Sequence, residues 1–204
     1  MSKGAETRQQ IVTTALGRAS EIGLEGVTLG TLADELGLSK SGLYAHFGSK
    51  EALQLAVVEE AVASFTEGVL APTLRTPRGE PRVRALFERW LAWFERGTTP
   101  RGCIFLSLAA EFDDRPGSVR DAIVDSQRQW IDFIAGAAER AVGEGHFRAD
   151  LDSRQFAFEF SAIGMSLQFA VKLVGDPDAV GRARAAFESL IERSRPPGGA
   201  ARVH

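Results

Sequence analysis

The run Thr28–Leu53, TLGTLADELGLSKSGLYAHFGSKEAL, restricts the fold more than any other part of the sequence. Thr28 is suited to an N-cap, where its hydroxyl accepts a backbone N–H that the first helical turn leaves free. Leu29, Leu32, Ala33 and Leu36 then recur at helical spacing, and Gly37 can adopt the left-handed conformation that stops a helix. Ser39 caps a second short helix, Lys40 to Phe47, and Ser49 caps the next, with Glu51 in its first turn where a negative charge suits the helix dipole. A helix of about two turns is unstable alone in water. Leu43 and Phe47 must therefore hold it on neighbours, which leaves Lys40, Ser41, Tyr44, Ala45 and His46 on or near its outer side. Two short helices around a tight turn, the second docked through one face and polar on the other, form a helix-turn-helix able to enter a DNA groove.

The remaining pattern is helical throughout, and the expected class is all-α with about nine helices. The first runs from about Glu6 to Ile22, with Ile11, Ala15, Ala19 and Ile22 on one face. The fourth starts at Ser49 and extends to about Leu70. Pro72, Pro77, Gly79 and Pro81 mark a loop from Ala71 to Pro81. Further helices are expected over Arg82–Arg96, over the short apolar segment Cys103–Phe112, from Ser118 to about Val142, from Asp152 to Val174, and after Asp176-Pro177. Gly97 with Pro100 and Asp113–Gly117 supply two of the breaks. Ser118-x-x-Asp121 resembles a capping box. The expected division is a DNA-binding unit over 1–50, a larger helical unit over 51–195, and a disordered tail over 196–204.

The chain has 204 residues and one cysteine, so no intrachain disulfide can form. It opens on the polar MSKGAETRQQ, and the most apolar stretch, Phe156–Val174, is interrupted by Glu159, Gln168 and Lys172. A soluble, cytoplasmic protein without a membrane partner is the expectation. Net charge is −3, and within 1–50 Lys3, Arg8, Arg18, Lys40 and Lys50 balance Glu6, Glu21, Glu25, Asp34 and Glu35. DNA affinity must then come from local placement of cations, with Lys3, Arg8, Lys40 and Lys50 on one side and Glu21, Glu25, Asp34 and Glu35 turned away.

Thr28, Leu32-Ala33, Gly37-Leu38-Ser39, Leu43-Tyr44-Ala45-His46-Phe47 and Ser49-Lys50-Glu51-Ala52-Leu53 together resemble the helix-turn-helix of the TetR family of bacterial transcriptional regulators. Leu stands where the family usually has Ile and Val, a change of shape within an apolar core. The resemblance implies a ligand-responsive, sequence-specific regulator, a repressor released from its operator by a small effector. It also implies a homodimer joined through the last two helices and an effector pocket in the C-terminal part. Family-like positions place phosphate contacts on Thr28, Ser39, Tyr44, His46 and Lys50, and base-edge contacts on Lys40, Ser41 and Ala45. Lysine can donate to guanine, and a small apolar side chain can meet the thymine methyl. Gly42 either packs closely against another helix or lets the backbone approach DNA.

Aromatic residues concentrate in the middle of the chain, where they either fill the core or line a cavity. The expected effector residues are Trp90, Phe94, Cys103, Phe105, Trp130, Phe133, Met165 and Phe169, and the expected effector is apolar or aromatic. The helix after Asp152 is apolar almost all round, so it must be covered on several sides. Phe160, Ile163 and Leu167 on it, with Phe187, Leu190 and Ile191 on the last helix, are the expected dimer contacts. No cofactor or metal is expected, since His46, His146 and His204 show no ligand spacing. A small helical enzyme and a protein-binding scaffold are the other function classes. Against the enzyme, no paired carboxylates or Ser/His/Asp order stands out, and the cluster Glu111, Asp113 and Asp114 reads as a solvated turn.

Overall fold

The computed structural model describes residues 2–96 and 102–197, and all regular structure among them is helical. The expected break at Gly97 and Pro100, and all of the expected tail except Pro196 and Pro197, lie outside the described residues. Nine helical elements follow in order: α1 (Lys3–Ile22), α2 (Leu29–Leu36), α3 (Lys40–Phe47), α4 (from Lys50), α5 (Glu80–Arg96), α6 (Ile104–Phe112), α7 (Ser118–Gly143), α8 (from Ser153) and α9 (Ala179–Ser194). The α-helical part of α4 ends at Phe65, but the chain continues through a π turn, Thr66–Leu70, and a last α turn, Ala71–Leu74. Helix therefore extends into the segment expected as loop. Pro72 has no N–H to return to the preceding turn, and the hydroxyl of the next residue, Thr73, donates to Val69 O at 2.6 Å. Helix α8 likewise passes at Ala170 into a π turn that ends at Gly175, φ +72°.

The caps read from the sequence are largely in place. Thr28 accepts from Thr31 N, Ser39 from Gly42 N, Ser49 from Ala52 N, and Asp152 from Arg154 N and Gln155 N. The hydroxyl of Ser118 does not cap α7; it donates to Glu51. Helix α9 begins two residues after the expected proline start, and Asp176 instead accepts from Asp178 N and pairs with Arg182.

Compactness groups the chain into two units: residues up to Thr66 with Phe94–Ser126, and Glu67–Trp93 with the described residues from Gln127 onward. In the first, α1 supplies Ile11, Ala15 and Leu16 to a core completed by Leu32, Leu43 and Val57, all essentially buried. Phe65 meets Phe105 edge-on at 5.6 Å. In the second, the rings of Phe87 (α5) and Phe187 (α9) stack in parallel with centroids 3.9 Å apart. Phe160 of α8 stands edge-on to both, at 5.6 and 5.8 Å, and Trp130 of α7 stands edge-on to Phe160 at 5.9 Å. Rings in such arrangements add packing energy beyond their buried area.

Helix α8 with its π turn, Ser153–Val174, is long and apolar enough by composition to cross a membrane. Phe156, Ala157, Phe160, Gly164 and Leu167 are turned into the core. The opposite side leaves Phe158, Met165, Phe169 and Leu173 exposed, so the helix is covered on one side rather than on several.

Candidate DNA-binding surface

Helix α3 is fixed by its two apolar residues. Leu43 is fully buried, Phe47 nearly so, and the guanidinium carbon of Arg8 lies 5.1 Å from the centroid of the Phe47 ring. Gly37 (φ +64°) before α3 and Gly48 (φ +71°) after it take the left-handed conformation that reverses the chain. With the inner face docked, Lys40, Ser41, Tyr44 and Ala45 are exposed and His46 is half-buried. Tyr44 alone leaves 56% of its surface in solvent. Thr28 and Ser39, the two cap residues, are exposed at the starts of α2 and α3. A solvent-facing row of hydroxyl, phenol and ammonium groups beside two helix N-termini can donate hydrogen bonds to phosphate and to base edges.

Gly42 does not pack against another helix. A Cβ there would meet Ser39 Oγ at 2.9 Å, and nothing else lies within 4 Å. The glycine leaves room for the hydroxyl that caps its own helix. Lys50 also departs from expectation. Its ammonium donates inward, to Glu25 O at 2.6 Å and to Glu25 Oε2 at 3.1 Å, while Gln54 Nε2 donates to Glu25 Oε1 at 2.7 Å. These bonds, from Gln54 first and Lys50 next, hold the Glu25 carboxyl below the usual carboxylate range. Lys50 thus braces the turn before α2, and Glu25 is not turned away from the cations. Glu111, expected in a solvated turn, accepts from the backbone N–H groups of Leu24 and Glu25. Reading along the chain missed Glu25 and Glu111 because their partners are remote in sequence and no local pattern announces them.

The expected effector residues divide by burial. Trp90 and Trp130 pack with Phe160 in the aromatic core, with centroids 6.0 and 5.9 Å from it. Phe94, Cys103 and Phe105 are buried, and Phe133 is half-buried. Met165 and Phe169, 63% and 59% exposed, are on the outer side of α8 and line no interior space. The dimer set needs the reverse correction. Phe160, Phe187 and Ile191 are consumed by the core of a single chain, and they have almost no surface left to offer a partner. Ile163, Leu167 and Leu190 instead floor an open groove of about 500 Å³ between α8 and α9. Its walls are small residues, Ala162, Ser166, Ala183 and Ala186 among them, with Glu159, Arg182 and Arg193 at its margins. No group of three metal-ligating side chains occurs among the described residues.

Residues 11–57 match the family model described as "Bacterial regulatory proteins, tetR family", and residues 79–187 that described as "Tetracyclin repressor-like, C-terminal domain". The sequence is 33% identical to the tetracycline repressor protein class C of Escherichia coli, over 84% of each chain. It is 27% identical to the HTH-type transcriptional repressor NemR of Escherichia coli (strain K12), over 66% of this chain and 68% of that protein. The fold is similar to that of a TetR transcriptional regulator from Chloroflexus aurantiacus J-10-FL, with a TM-score of 0.82 and 25% identity, covering 94% of this chain and 96% of the other.

Proposed function

This chain belongs to the TetR family of bacterial regulatory proteins, and we propose that it is a cytoplasmic homodimeric repressor that α3 seats in the major groove of its operator. As a member of that family it is a ligand-responsive DNA-binding transcriptional regulator and not an enzyme. We assign DNA binding to residues 1–50, and effector binding and dimerisation to 51–195.

The observation that carries the DNA reading is the two-sidedness of α3: Leu43 and Phe47 are spent on the core, and Lys40, Ser41, Tyr44 and Ala45 are left on one exposed face. Lys40, Ser41 and Ala45 read base edges, and Thr28, Ser39, Tyr44 and His46 meet phosphate. Gly42 keeps the backbone low on that face. Lys50 acts on DNA indirectly, through Glu25. Two copies of α3 enter successive major grooves about 34 Å apart.

The second copy covers the outer side of α8 and the groove beside α9. Phe158, Met165, Phe169 and Leu173 form an exposed apolar row, the kind of surface a partner covers. Small side chains along the groove let helices approach closely. The effector is a small apolar or aromatic molecule. Trp90, Trp130 and Phe133, all in one compact unit, are the aromatic residues we assign to it. It acts as an inducer only if it binds the DNA-free form better than the DNA-bound form.

The test is binding of wild type and Tyr44→Ala to a palindromic duplex that the wild-type protein selects from a random-sequence library. Wild type is expected to enrich a two-fold symmetric site, and Tyr44→Ala to bind it at least about tenfold more weakly, the loss of one charge-assisted contact per copy. Equal affinity for the two proteins would refute the assignment of α3 to DNA.

A further inference from the structure

The turn between α1 and α2 is held by a side chain from α6. Glu111 lies one residue before the end of that helix, and its carboxylate accepts from two successive backbone N–H groups, Leu24 N at 2.8 Å and Glu25 N at 2.7 Å. Successive N–H groups converging on one anion form a nest, a backbone arrangement that selects negative charge. Gly23 makes room for the anion. Its φ is +80°, and a Cβ at that position would lie 2.8 Å from Glu111 Oε1.

The clamped turn is in turn the anchor for the start of α4, because Glu25 receives both Lys50 and Gln54. Two further contacts run in the same direction. The Arg115 guanidinium lies 3.6 Å from Glu25 Oε2, and the Ser118 hydroxyl donates to Glu51 in the first turn of α4. The corner between α6 and α7 thus addresses two sites that bracket α2 and α3: the turn just before them and the helix start just after them.

We propose that Glu111 is a positioning residue for DNA recognition: its carboxylate clamps the α1–α2 turn and so sets the placement of α3, and withdrawal of α6 releases it. The proposal rests on the reading of α3 as the DNA-contacting helix. Loss of the clamp leaves two N–H groups of a half-buried turn without their acceptor. It frees Glu25, and with Glu25 the brace to Lys50 and Gln54. The consequence is a looser helix-turn-helix at unchanged chemistry of its outer face.

The experiment compares full-length wild type, Glu111→Gln, Glu111→Ala and Tyr44→Ala by amide hydrogen exchange and by affinity for the duplex selected by wild type. Glutamine keeps the size of the side chain but offers one acceptor oxygen where the turn presents two donors. Both variants at position 111 are expected to speed exchange at Leu24 and Glu25 by about tenfold or more and to weaken duplex binding by about tenfold, the factor for losing a hydrogen bond to a charged group. The amide of Leu86, fully buried in the other compact unit, should stay as slow as in wild type. Unchanged exchange at Leu24 and Glu25 overturns the proposal, as does faster exchange with full affinity. Loss of protection at Leu86 as well would make the residue merely structural and overturns it too. Tyr44→Ala should lose affinity with exchange at Leu24 and Glu25 intact. If Tyr44→Ala binds as wild type does, the DNA reading itself has failed, whatever the clamp does.

Discussion

The indole of Trp90 lies directly on the backbone of Gly164: a Cβ added to that glycine would stand 2.5 Å from Trp90 Cζ2. Alanine at 164 would favour the helix by about 1 kcal/mol on propensity alone. Overpacking at a site this close costs about 1–3 kcal/mol, and Trp90 is hemmed in by Phe87, Trp130 and Phe160. The steric term wins. Gly164→Ala is expected to lower the free energy of urea unfolding, and a more stable variant would show that the indole has somewhere else to go.

Phe160 and Phe169 are on one helix and should fail differently. Phe160→Ala removes a ring in contact with five others and is expected to cost about 3–5 kcal/mol in unfolding experiments. Phe169→Glu, or Met165→Glu, places a charge on the exposed side of α8 and should leave the chain folded but shift sedimentation from dimer to monomer. A folded dimer in both glutamate variants would rule out this side of α8 as the interface.

At the start of α3, Ser39 and Gly42 are coupled. Ser39→Ala is expected to cost about 1 kcal/mol through loss of the cap. Gly42→Ala gains about 1 kcal/mol in propensity but displaces the capping hydroxyl, so alone it should be close to neutral. In the Ser39→Ala background the displacement has no cost, and the same alanine should stabilise by about 1 kcal/mol. Additive effects of the two substitutions in a double-mutant cycle would contradict the coupling.

Glu80, at the start of α5, gives the pH dependence a sign. Burial pushes its carboxyl up, but Arg195 and Arg84 donate to it and the net displacement is downward. A carboxyl lowered in the folded state contributes stability that is fully present above its unfolded pKa and is lost as pH falls through the folded one. Wild type is therefore expected to lose stability between about pH 5 and about pH 3 more steeply than Glu80→Gln. Parallel acid-unfolding curves would refute the assignment.

Lys40 and Lys50 also separate in solution. Lys40→Ala is expected to lower the slope of log affinity against log salt by about one per copy, the effect of losing a cation at the DNA surface. Lys50→Ala should leave that slope near wild type while speeding amide exchange in the α1–α2 turn, since its ammonium is bonded to Glu25. A reduced slope for Lys50→Ala would return it to the phosphate-contact set.

Interactions that close within a few residues were legible in the sequence. The caps at Thr28, Ser39, Ser49 and Asp152 need only a side chain and the next turn of backbone, and each sits where its spacing put it. Ser118 had the same local pattern, but a carboxylate from α4 took its hydroxyl, and nothing near Ser118 reports where Glu51 is. The same distance hid Glu111 from Leu24. On α8 the difficulty was different in kind. Apolar residues occupy most of its circumference, so periodicity does not say whether Phe160 or Phe169 faces inward; the neighbouring Phe87 and Phe187 decide it.

Leu43 and Phe47 are the two buried residues of α3, and Lys40, Ser41, Tyr44 and Ala45 on its outer side are exposed. Lys40, Ser41, Tyr44 and Ala45 can be rewritten together and the chain should still fold. In this protein the choice of target sequence is an almost separate text, open to drift or to redesign at a handful of positions. The grip on the turn before α2 stands apart from them, in Glu111 of α6.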